Sequence, residues 1–326
     1  MVATPVIIVK AKPRLILCVA VMFSLLFHLV TAGWLAAEPR PGWIDRSIRS
    51  SGEERRFMVF VPSNLPPDPP VVLCLSGDPR AMLTGVGGGA EWPALARRER
   101  FLLVVPAGVN GPGRSRSHGT DDHDALSITS LLDSVVREFS VDPSRIYLAA
   151  HGEGGLAAAR LLLDPAARFA AAALFSSALP SGLAAGSRGH RPRPLMLVNG
   201  TEDPLVPWEQ VASRSSGQTV MPARESVAWW VVANRAEPSA PALSMLPDLD
   251  PWDGCRIRKA EYRPLMGGAP VVACTVVGGG HAMPSRRHTV EESAAKRRFV
   301  GRSCRDAEGA LLAWEFMKRF RLSGTP

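Results

Sequence analysis

The stretch from Arg145 to Leu163 constrains the fold of this chain more than any other. Its sequence, RIYLAAHGEGGLAAARLLL, predicts a buried strand over 146–150, a very tight turn, and a helix that begins near Gly155. The alanines at 157–159 are small enough to let that helix approach a sheet closely. This is the shape of a nucleophile elbow, in which a G-x-S-x-G sequence lifts a serine oxygen above a sheet.

One register of the elbow fits the sequence. With the nucleophile position at 152, the small flanking residues are Ala150 and Gly154, whereas a position at 153 would require the bulky His151 to act as a small residue. The elbow position is therefore Gly152, which has no side chain. Because elbow geometry costs a non-glycine residue about 1–3 kcal/mol, glycine relieves strain while it removes the reactive atom. The alternative is a strand-turn-helix crossover that never carried chemistry.

Strands alternate with helices along the rest of the chain, which predicts an α/β fold with a doubly wound, mostly parallel sheet and helices on both faces. Continuous apolar runs are typical of strands buried in a parallel sheet. The segment from 176 to 193 is rich in Gly, Ser, Arg and Pro and is predicted to be flexible. The predicted strands are 56–61, 71–75, 101–106, 146–150, 171–175 and 195–198 with a hairpin of 256–263 and 271–277, and the predicted helices are 92–98, 125–139, 223–234 and 306–320.

The first 37 residues read as a targeting segment. Lys10, Lys12 and Arg14 lead into an apolar run that has no charged residue before Glu38. This segment is either a cleaved signal peptide or an N-terminal membrane anchor, since the run is just long enough to span a bilayer. We therefore expect an exported protein, secreted or periplasmic and anchored if the segment is uncleaved, with residues 38–326 as a single domain.

Charge and composition exclude one class of partner. The 326 residues are 46% hydrophobic and 21% charged, as in an ordinary globular protein. The net charge is +8, and three of those charges lie within residues 1–37, so a mild excess of +5 remains. We expect no nucleic-acid partner from so small an excess.

Four cysteines follow the targeting segment, and outside the cytoplasm they can pair. Cys255 and Cys274 flank the predicted hairpin, which favours a bridge between them, whereas Cys74 lies in an apolar run and is expected to be a buried free thiol. The other pairings remain open.

Two further side chains complete a catalytic order. In a doubly wound hydrolase the functional groups follow the strands in the order nucleophile, acid, histidine, and this chain supplies Gly152, Asp203 and His281. Asp203 would orient a ring nitrogen of His281, and His281 would act as a general base. Taken singly, Asp203-Pro204 could be turn chemistry and His281 a loop histidine. As an ordered pair they favour a catalytic origin.

These motifs resemble those of a known family, the exported esterases grouped with poly(3-hydroxybutyrate) depolymerases and feruloyl or acetylxylan esterases, which have the α/β-hydrolase fold. The resemblance covers roughly residues 54–320 in the right order. The matching segments are VDPSRIY at 141–147, Gly154-Gly155, NGTEDP at 199–204, LPDLDP at 246–251 with Asp253-Gly254, VGGGH at 277–281, and AWEF at 313–316.

By this resemblance Asp203 and His281 fall on the family's catalytic acid and histidine, and the family's serine falls on Gly152. The resemblance also implies an oxyanion hole made by the backbone N–H of Glu153 and a second one near Gly77 or Asp78. The chain departs from the family pattern at further positions as well. These departures are Ala150 for the first elbow glycine, Ser76 for a histidine before Gly77, and Met283 for a tryptophan before Pro284.

No cofactor and no metal are expected from this resemblance. Asp121, Asp122, His123 and Asp124 could form a metal site, but acids at this point also complement the N-terminus of the helix that follows. The basic segment from 286 to 302 could rim a cleft and attract an acidic ligand, or it could be a solvated face.

Two functional hypotheses follow. In the first, an exported esterase-like protein has lost its serine mechanism and acts as a degenerate, non-catalytic binding module for an ester-bearing polymer or a carbohydrate-linked ester. In the second, the chain is an active esterase in which His281 activates water or a non-standard nucleophile such as Ser176, Ser177 or Cys304. In either case, contact with a membrane is expected only through the N-terminal segment.

Overall fold

The structure is a computed structural model, and it describes residues 42–50, 52–76, 91–106, 122–186, 190–213, 219–287, 298 and 300–322. Several predicted features lie outside these ranges. They are the targeting segment 1–37, Gly77 and Asp78 of the expected oxyanion hole, and most of the basic segment. The side chains of the acidic cluster at 121–124 also lie outside the described part.

The described residues form a ten-stranded sheet with six parallel strands at its centre. Its order is β1-β2-β4-β3-β5-β6-β7-β12-β11-β10, in which β4 through β12 run parallel and two antiparallel strands extend each side. The predicted doubly wound, mostly parallel sheet is thus confirmed. Its strands are β1 Gly42–Ser50, β2 Glu53–Val61, β3 Val71–Ser76, β4 Leu102–Pro106, β5 Ile146–His151, β6 Ala171–Phe175, β7 Leu195–Gly200, β10 Ala242–Met245, β11 Arg256–Tyr262 and β12 Val271–Val277, and a separate small ladder pairs β8 Ala212–Ser213 with β9 Thr219–Val220.

Helices cover both faces of the sheet and build a core on each. One core packs α2 (Asp122–Phe139), α3 (Gly154–Leu163) and α5 (Ala223–Ala233) against one face, and the other packs α1 (Glu91–Glu99) and α6 (Gly309–Met317) against the opposite face. A short helix, α4 (Ser181–Gly186), precedes β7. Alternate residues of β3 belong to opposite cores, with Leu73 and Leu75 in the first and Val72 and Cys74 in the second. This alternation explains why the strand is apolar throughout.

The register of the β11–β12 hairpin contradicts the predicted disulfide between Cys255 and Cys274. In its register Cys274 lies opposite Lys259, while Cys255 precedes β11, whose first residue Arg256 pairs with Val277. Cys255 therefore lies beyond the end of the ladder, far along the strand from Cys274, and the two cannot be cross-strand partners. The predicted Cys255–Cys274 pair is wrong, and Cys255 lies beside Cys304 instead.

The carboxyl ends of the parallel strands lie along one edge of the sheet. The last residues there include Ser76 of β3, His151 of β5, Gly200 of β7 and Val277 of β12. The loops that follow these strands are the ones that carry Gly152, Asp203 and His281, so the topology places all three at this edge. Within the described ranges, none of the helices combines the length and the apolar character needed to cross a bilayer.

Candidate active site

The turn between β5 and α3 has the geometry predicted for an elbow. Gly152 has a φ of +55°, a conformation that favours glycine, and its N–H donates to the carbonyl of Phe175 at 3.0 Å. Gly154 begins α3 directly against β3, where a Cβ would lie 2.3 Å from the carbonyl oxygen of Leu75. The second small flanking residue is thus required by close approach of the turn to the neighbouring strand.

Asp203 lies in the loop after β7 and is fixed by the backbone around it. Its side chain is fully buried, and its Oδ1 accepts hydrogen bonds from the N–H groups of Leu205 and Val206 at 2.8 and 2.9 Å. These two donors hold the carboxyl group in one orientation. The loop therefore presents a rigid acceptor toward the next loop of the edge.

His281 lies in the loop after β12, between Asp203 and the elbow. Its Nδ1 is 2.8 Å from Asp203 Oδ2 and 3.1 Å from Oδ1, and because a carboxylate only accepts, Nδ1 carries the proton. The other ring nitrogen, Nε2, then faces Gly152, where an ideal Cβ would lie 2.9 Å from it. Asp203, His281 and Gly152 thus have the arrangement of an acid, a base and the position of a nucleophile.

Residues 300–304, the C-terminal strap, hold the loop of His281 through its backbone. The N–H of Gly280 donates to the carbonyl of Arg302 at 2.8 Å, and the N–H of His281 donates to that of Val300 at 2.6 Å. Further along, the N–H of Ser285 donates to the carbonyl of Cys304 at 2.9 Å. The strap is distant in sequence from the strands, and no motif predicted its contact with His281.

His151 lies in the site, although the sequence analysis predicted no role for it and considered only its size. Its Nε2 lies 2.8 Å from the backbone carbonyl of His281, and the two rings meet edge to face with centroids 4.9 Å apart. Since a carbonyl only accepts, Nε2 of His151 carries a proton and donates. Burial, with a smaller contribution from His281, lowers the pKa of His151 to about 4, so its ring is neutral near pH 7. Its position directly before the elbow was the available signal.

A pair of carboxyl groups lies under the loop that follows His281. Glu91 of α1 is buried, accepts a hydrogen bond from Ser285 and faces Glu308 at the start of α6. Burial and the neighbouring Glu308 raise the pKa of Glu91 to about 8. Oε2 of Glu91 and Oε2 of Glu308 lack a donor among the described residues, which leaves a place for the proton that Glu91 carries at this raised pKa.

Of the expected oxyanion donors, the structure describes Glu153. It directly precedes α3 in a helical conformation and its side chain is exposed, so its N–H lies at the N-terminal end of the helix. The other candidates, Gly77 and Asp78, lie outside the described residues.

The three alternative nucleophiles are all enclosed. Ser176 and Ser177 are 3% exposed, and Ser177 Oγ lies against Gly155 at the start of α3, within 1.8 Å of where a Cβ would be. Cys304 is 2% exposed, and its hydrogen bond with Cys255 and its burial raise the pKa of its thiol. A buried thiol with a raised pKa is a poor nucleophile.

The loop between β10 and β11 presents an aromatic side chain at the same edge of the sheet. Trp252 is 95% exposed, although the loop that carries it is held in place. Asp250 accepts a hydrogen bond from the N–H of Trp252 at 3.2 Å and pairs with Arg305 at 3.0 Å, while Asp306 accepts from the N–H of Leu249 at 2.8 Å. The loop ends at Arg256, which pairs with Val277 just before the loop of His281.

No family model matches the chain, but individual proteins do. A bifunctional acetylxylan esterase/xylanase of Neocallimastix patriciarum is 30% identical over 166 residues, which are 50% of this chain and 23% of that protein. A feruloyl esterase B of Piromyces equi is 25% identical over 245 residues, 70% of this chain and 42% of that protein. A poly(3-hydroxyalkanoate) depolymerase C of Paucimonas lemoignei is 28% identical over 102 residues, 29% of this chain and 24% of that protein.

Each match spans less than half the length of these relatives, so their whole activities do not transfer with the alignment. Among solved structures, an acetyl xylan esterase from Aspergillus awamori superposes with a TM-score of 0.51 at 15% identity, over 78% of this chain and 98% of that one. At that identity the likeness concerns the fold. The chain thus has the α/β-hydrolase fold, and parts of its sequence are similar to an acetylxylan esterase, a feruloyl esterase and a polyhydroxyalkanoate depolymerase.

Proposed function

We propose that the chain is an exported member of this esterase group in which the acid and histidine of the triad remain, the serine is lost, and the protein binds an ester-bearing polymer or carbohydrate-linked ester without turning it over. Export is proposed from the basic and apolar character of residues 1–37. The observation that carries the proposal is the position of His281 Nε2, 2.9 Å from an ideal Cβ on Gly152. The catalytic base faces the nucleophile position, and that position is empty.

Loss of the serine leaves too little activity for ordinary ester turnover. Removing the nucleophile of a Ser-His-Asp triad costs about a million-fold in kcat, and the residual rate of about 1,000- to 10,000-fold over water comes from the oxyanion hole and binding. The exposed carboxylate of Glu153 adds negative charge beside the N–H expected to stabilise an oxyanion. Both features favour binding over catalysis.

Trp252 supports a binding role at this edge. Trp252 is 95% exposed on a loop whose backbone is fixed by carboxylates, so the loop loses little conformational freedom when a ligand covers the indole. Asp250 and Arg305 beside it supply hydrogen-bonding groups of the kind that hydroxyl-rich ligands use. A sugar ring stacked on the indole fits this surface, and the relatives named for acetylxylan and feruloyl esters are consistent with such a ligand.

A second candidate function rests on the intact hydrogen bond between Asp203 and His281. An Nε2 oriented in this way can act as a general base toward water, which would make the chain an esterase by an unconventional route. The short distance from Nε2 to the elbow counts against this candidate, because it leaves no room for a water molecule directly between Nε2 and Gly152.

The experiment compares hydrolysis of a short-chain p-nitrophenyl ester by the purified full chain with that by Gly152→Ser, Gly152→Ala, His281→Ala and the double variant Gly152→Ser/His281→Ala. We expect the parent and Gly152→Ala to be inactive, Gly152→Ser to gain activity, and the double variant to lose it again. This pattern would mean that only the nucleophile is missing. A parent that already turns over and stops on His281→Ala would overturn the proposal in favour of the second candidate.

Binding is tested by sedimentation with insoluble acetylated xylan and, separately, with poly(3-hydroxybutyrate) granules. We expect retention on the xylan and a loss of at least tenfold in affinity on Trp252→Ala. Met266→Ala is the matched control, because Met266 is 98% exposed in the β11–β12 turn at the opposite edge of the sheet. Retention on the granules alone would exclude the carbohydrate ligand, and retention on neither would contradict the binding role.

A further inference from the structure

Two buried cysteines lie together beside the segment that holds His281. Cys255 is 1% exposed and Cys304 is 2% exposed, so both thiols are buried. The two sulfur atoms and a carboxylate oxygen of Asp253 all lie within 4.8 Å of one another. Two thiols so close can either pair, bind a metal with Asp253, or remain reduced.

The geometry of Asp253 disfavours the metal. Its Oδ1 accepts a hydrogen bond from the N–H of Cys255 at 2.7 Å, and its Oδ2 accepts one from the N–H of Arg305 at 2.6 Å. Both oxygens are therefore occupied in shaping the backbone on either side of the thiols. Two thiolates alone make an incomplete site for zinc, which takes four ligands.

We propose that Cys255 and Cys304 form a disulfide that fixes the C-terminal strap and thereby positions His281. The strap accepts the hydrogen bonds of Gly280 and His281, and Cys304 is its last residue. Cys255 directly precedes β11, which pairs along its whole length with β12, and β12 leads into the loop of His281. The disulfide joins the strap to the start of β11. Because β11 is paired with β12 and the strap is hydrogen-bonded to the loop of His281, the strap, the two strands and that loop move as one unit.

The bond forms while the chain folds, because burial leaves both thiols inaccessible afterwards. A thiolate of Cys304 attacks an oxidised disulfide such as glutathione disulfide or the active site of a disulfide-forming oxidoreductase, and one thiol of that oxidant leaves. The thiolate of Cys255 then attacks the Cys304 sulfur and releases the second thiol. Two electrons pass to the oxidant, and the two protons of the cysteines end on its thiols. An exported chain meets such oxidants.

The test is differential alkylation and mass spectrometry of the full chain, produced by export and purified without reductant. We expect a peptide pair that joins Cys255 to Cys304 and separates on reduction, while Cys74 and Cys274 are alkylated after denaturation in either case. Alkylation of Cys255 and Cys304 without reductant would overturn the proposal. So would a pair between Cys255 and Cys274, or one equivalent of zinc that protects the two thiols in a reduced sample.

The positioning role has its own readout. The proton between His281 Nδ1 and Asp203 gives a downfield imidazole resonance, which we expect to broaden or disappear in Cys255→Ala/Cys304→Ala and in the reduced parent. Cys74→Ala/Cys274→Ala is the matched control, because those thiols are buried elsewhere in the sheet. An unchanged resonance after reduction would contradict the positioning role. Neither readout needs ester turnover, so failure here is separable from failure of the proposed function.

Discussion

At the scale of single residues, Gly152 affects stability and chemistry in opposite directions. Its φ of +55° is one that a residue with a Cβ adopts at a cost, and a Cβ would also press on His281 Nε2 at 2.9 Å. The imidazole ring of His281 can shift by a few tenths of an ångström, because His281 lies in a loop. A chain relieved of selection for covalent chemistry gains stability from this glycine, whereas an active serine hydrolase bears the strain.

We therefore predict that Gly152→Ser lowers the free energy of unfolding by about 1–3 kcal/mol even if it restores activity. Gly152→Ala should cost about the same, because the strain comes from the Cβ and not from the hydroxyl. Urea denaturation of both variants beside the parent measures this. Equal stability of parent and variants would mean that the turn adapts without strain.

His151 should matter to the restored enzyme through the backbone carbonyl of His281, to which it donates at 2.8 Å. In a Gly152→Ser background, His151→Phe keeps a ring and loses the donor, and we expect kcat to fall about tenfold, the equivalent of about 1.4 kcal/mol. KM should change little, since His151 acts on the base and not on the ligand.

His151→Gln is the control for that effect, because its amide N–H can donate to the same carbonyl. We expect Gln to recover most of the kcat that Phe loses. An equal loss in both variants would mean that the ring packs against His281 and that the hydrogen bond is unimportant.

The sequence was informative about Gly152, Asp203 and His281 because each follows a predicted strand in a fixed chain order. It was uninformative about the C-terminal strap and Glu91, which reach the site only through tertiary contacts. Ser285 and Glu91 are separated by 194 positions, and no local pattern marks a contact of that kind. Only the tertiary fold brings the strap and Glu91 to the site, so the sequence alone could not predict these contacts.

At the scale of elements, α3 depends on a buried arginine for its C-terminal end. Arg193 is 5% exposed and donates to the carbonyls of Leu162 at 3.1 Å, Asp164 at 3.4 Å and Ala167 at 2.7 Å. A helix ends with carbonyl groups that lack intrahelical partners, and a guanidinium group satisfies several of them at once. The helix that begins at the elbow is thus fixed at its far end from outside.

We predict that Arg193→Met lowers the free energy of unfolding by about 3 kcal/mol, since hydrogen bonds to a charged group contribute about 1.5–3 kcal/mol each and are not additive. Arg191→Met is the matched control, because Arg191 is exposed two residues earlier, and it should change stability by less than about 0.5 kcal/mol. Urea denaturation at pH 7 makes the comparison. A small loss in both variants would show that water replaces the guanidinium.

The same region shows where element prediction was wrong. Gly, Ser, Arg and Pro predicted a flexible stretch from 176 to 193, yet α4 lies within it and Arg193 is buried. The central strands were predictable because both of their faces are buried and their runs are continuously apolar. The edge strands β1 and β10 were missed because each is held largely by its backbone ladder, and Ala242–Met245 is exposed at all four residues.

At the scale of the whole molecule, two buried titratable groups make stability depend on pH in opposite directions. The pKa of His151 is lowered to about 4, so the folded chain binds fewer protons than the unfolded chain between about pH 4 and 6.5, and stability is lost as pH falls through that window. The pKa of Glu91 is raised to about 8, so the folded chain binds more protons between about pH 4.5 and 8, and stability is lost as pH rises.

Glu91→Gln separates the two contributions, because an amide reproduces the protonated acid and does not titrate. Its N–H can donate to Glu308 while its oxygen accepts from Ser285, the two contacts that the acid makes. We predict that the free energy of unfolding of this variant relative to the parent rises steadily from pH 5 to pH 8, by an amount on the order of 1 kcal/mol or more. The loss of stability at low pH that is caused by His151 should remain in both proteins.

Urea denaturation at unit steps from pH 5 to pH 8 measures this difference, with Glu225→Gln on the exposed face of α5 as the control for removing a carboxylate. The free energy of unfolding of Glu225→Gln should vary with pH in the same way as that of the parent, because the side chain at 225 is exposed. If the free energy of unfolding of Glu91→Gln varied with pH in the same way as that of the parent, Glu91 would be ionised in the folded chain. In that case Ser285 and the loop of His281 would be held by a charge, and high pH would not loosen the loop that carries His281.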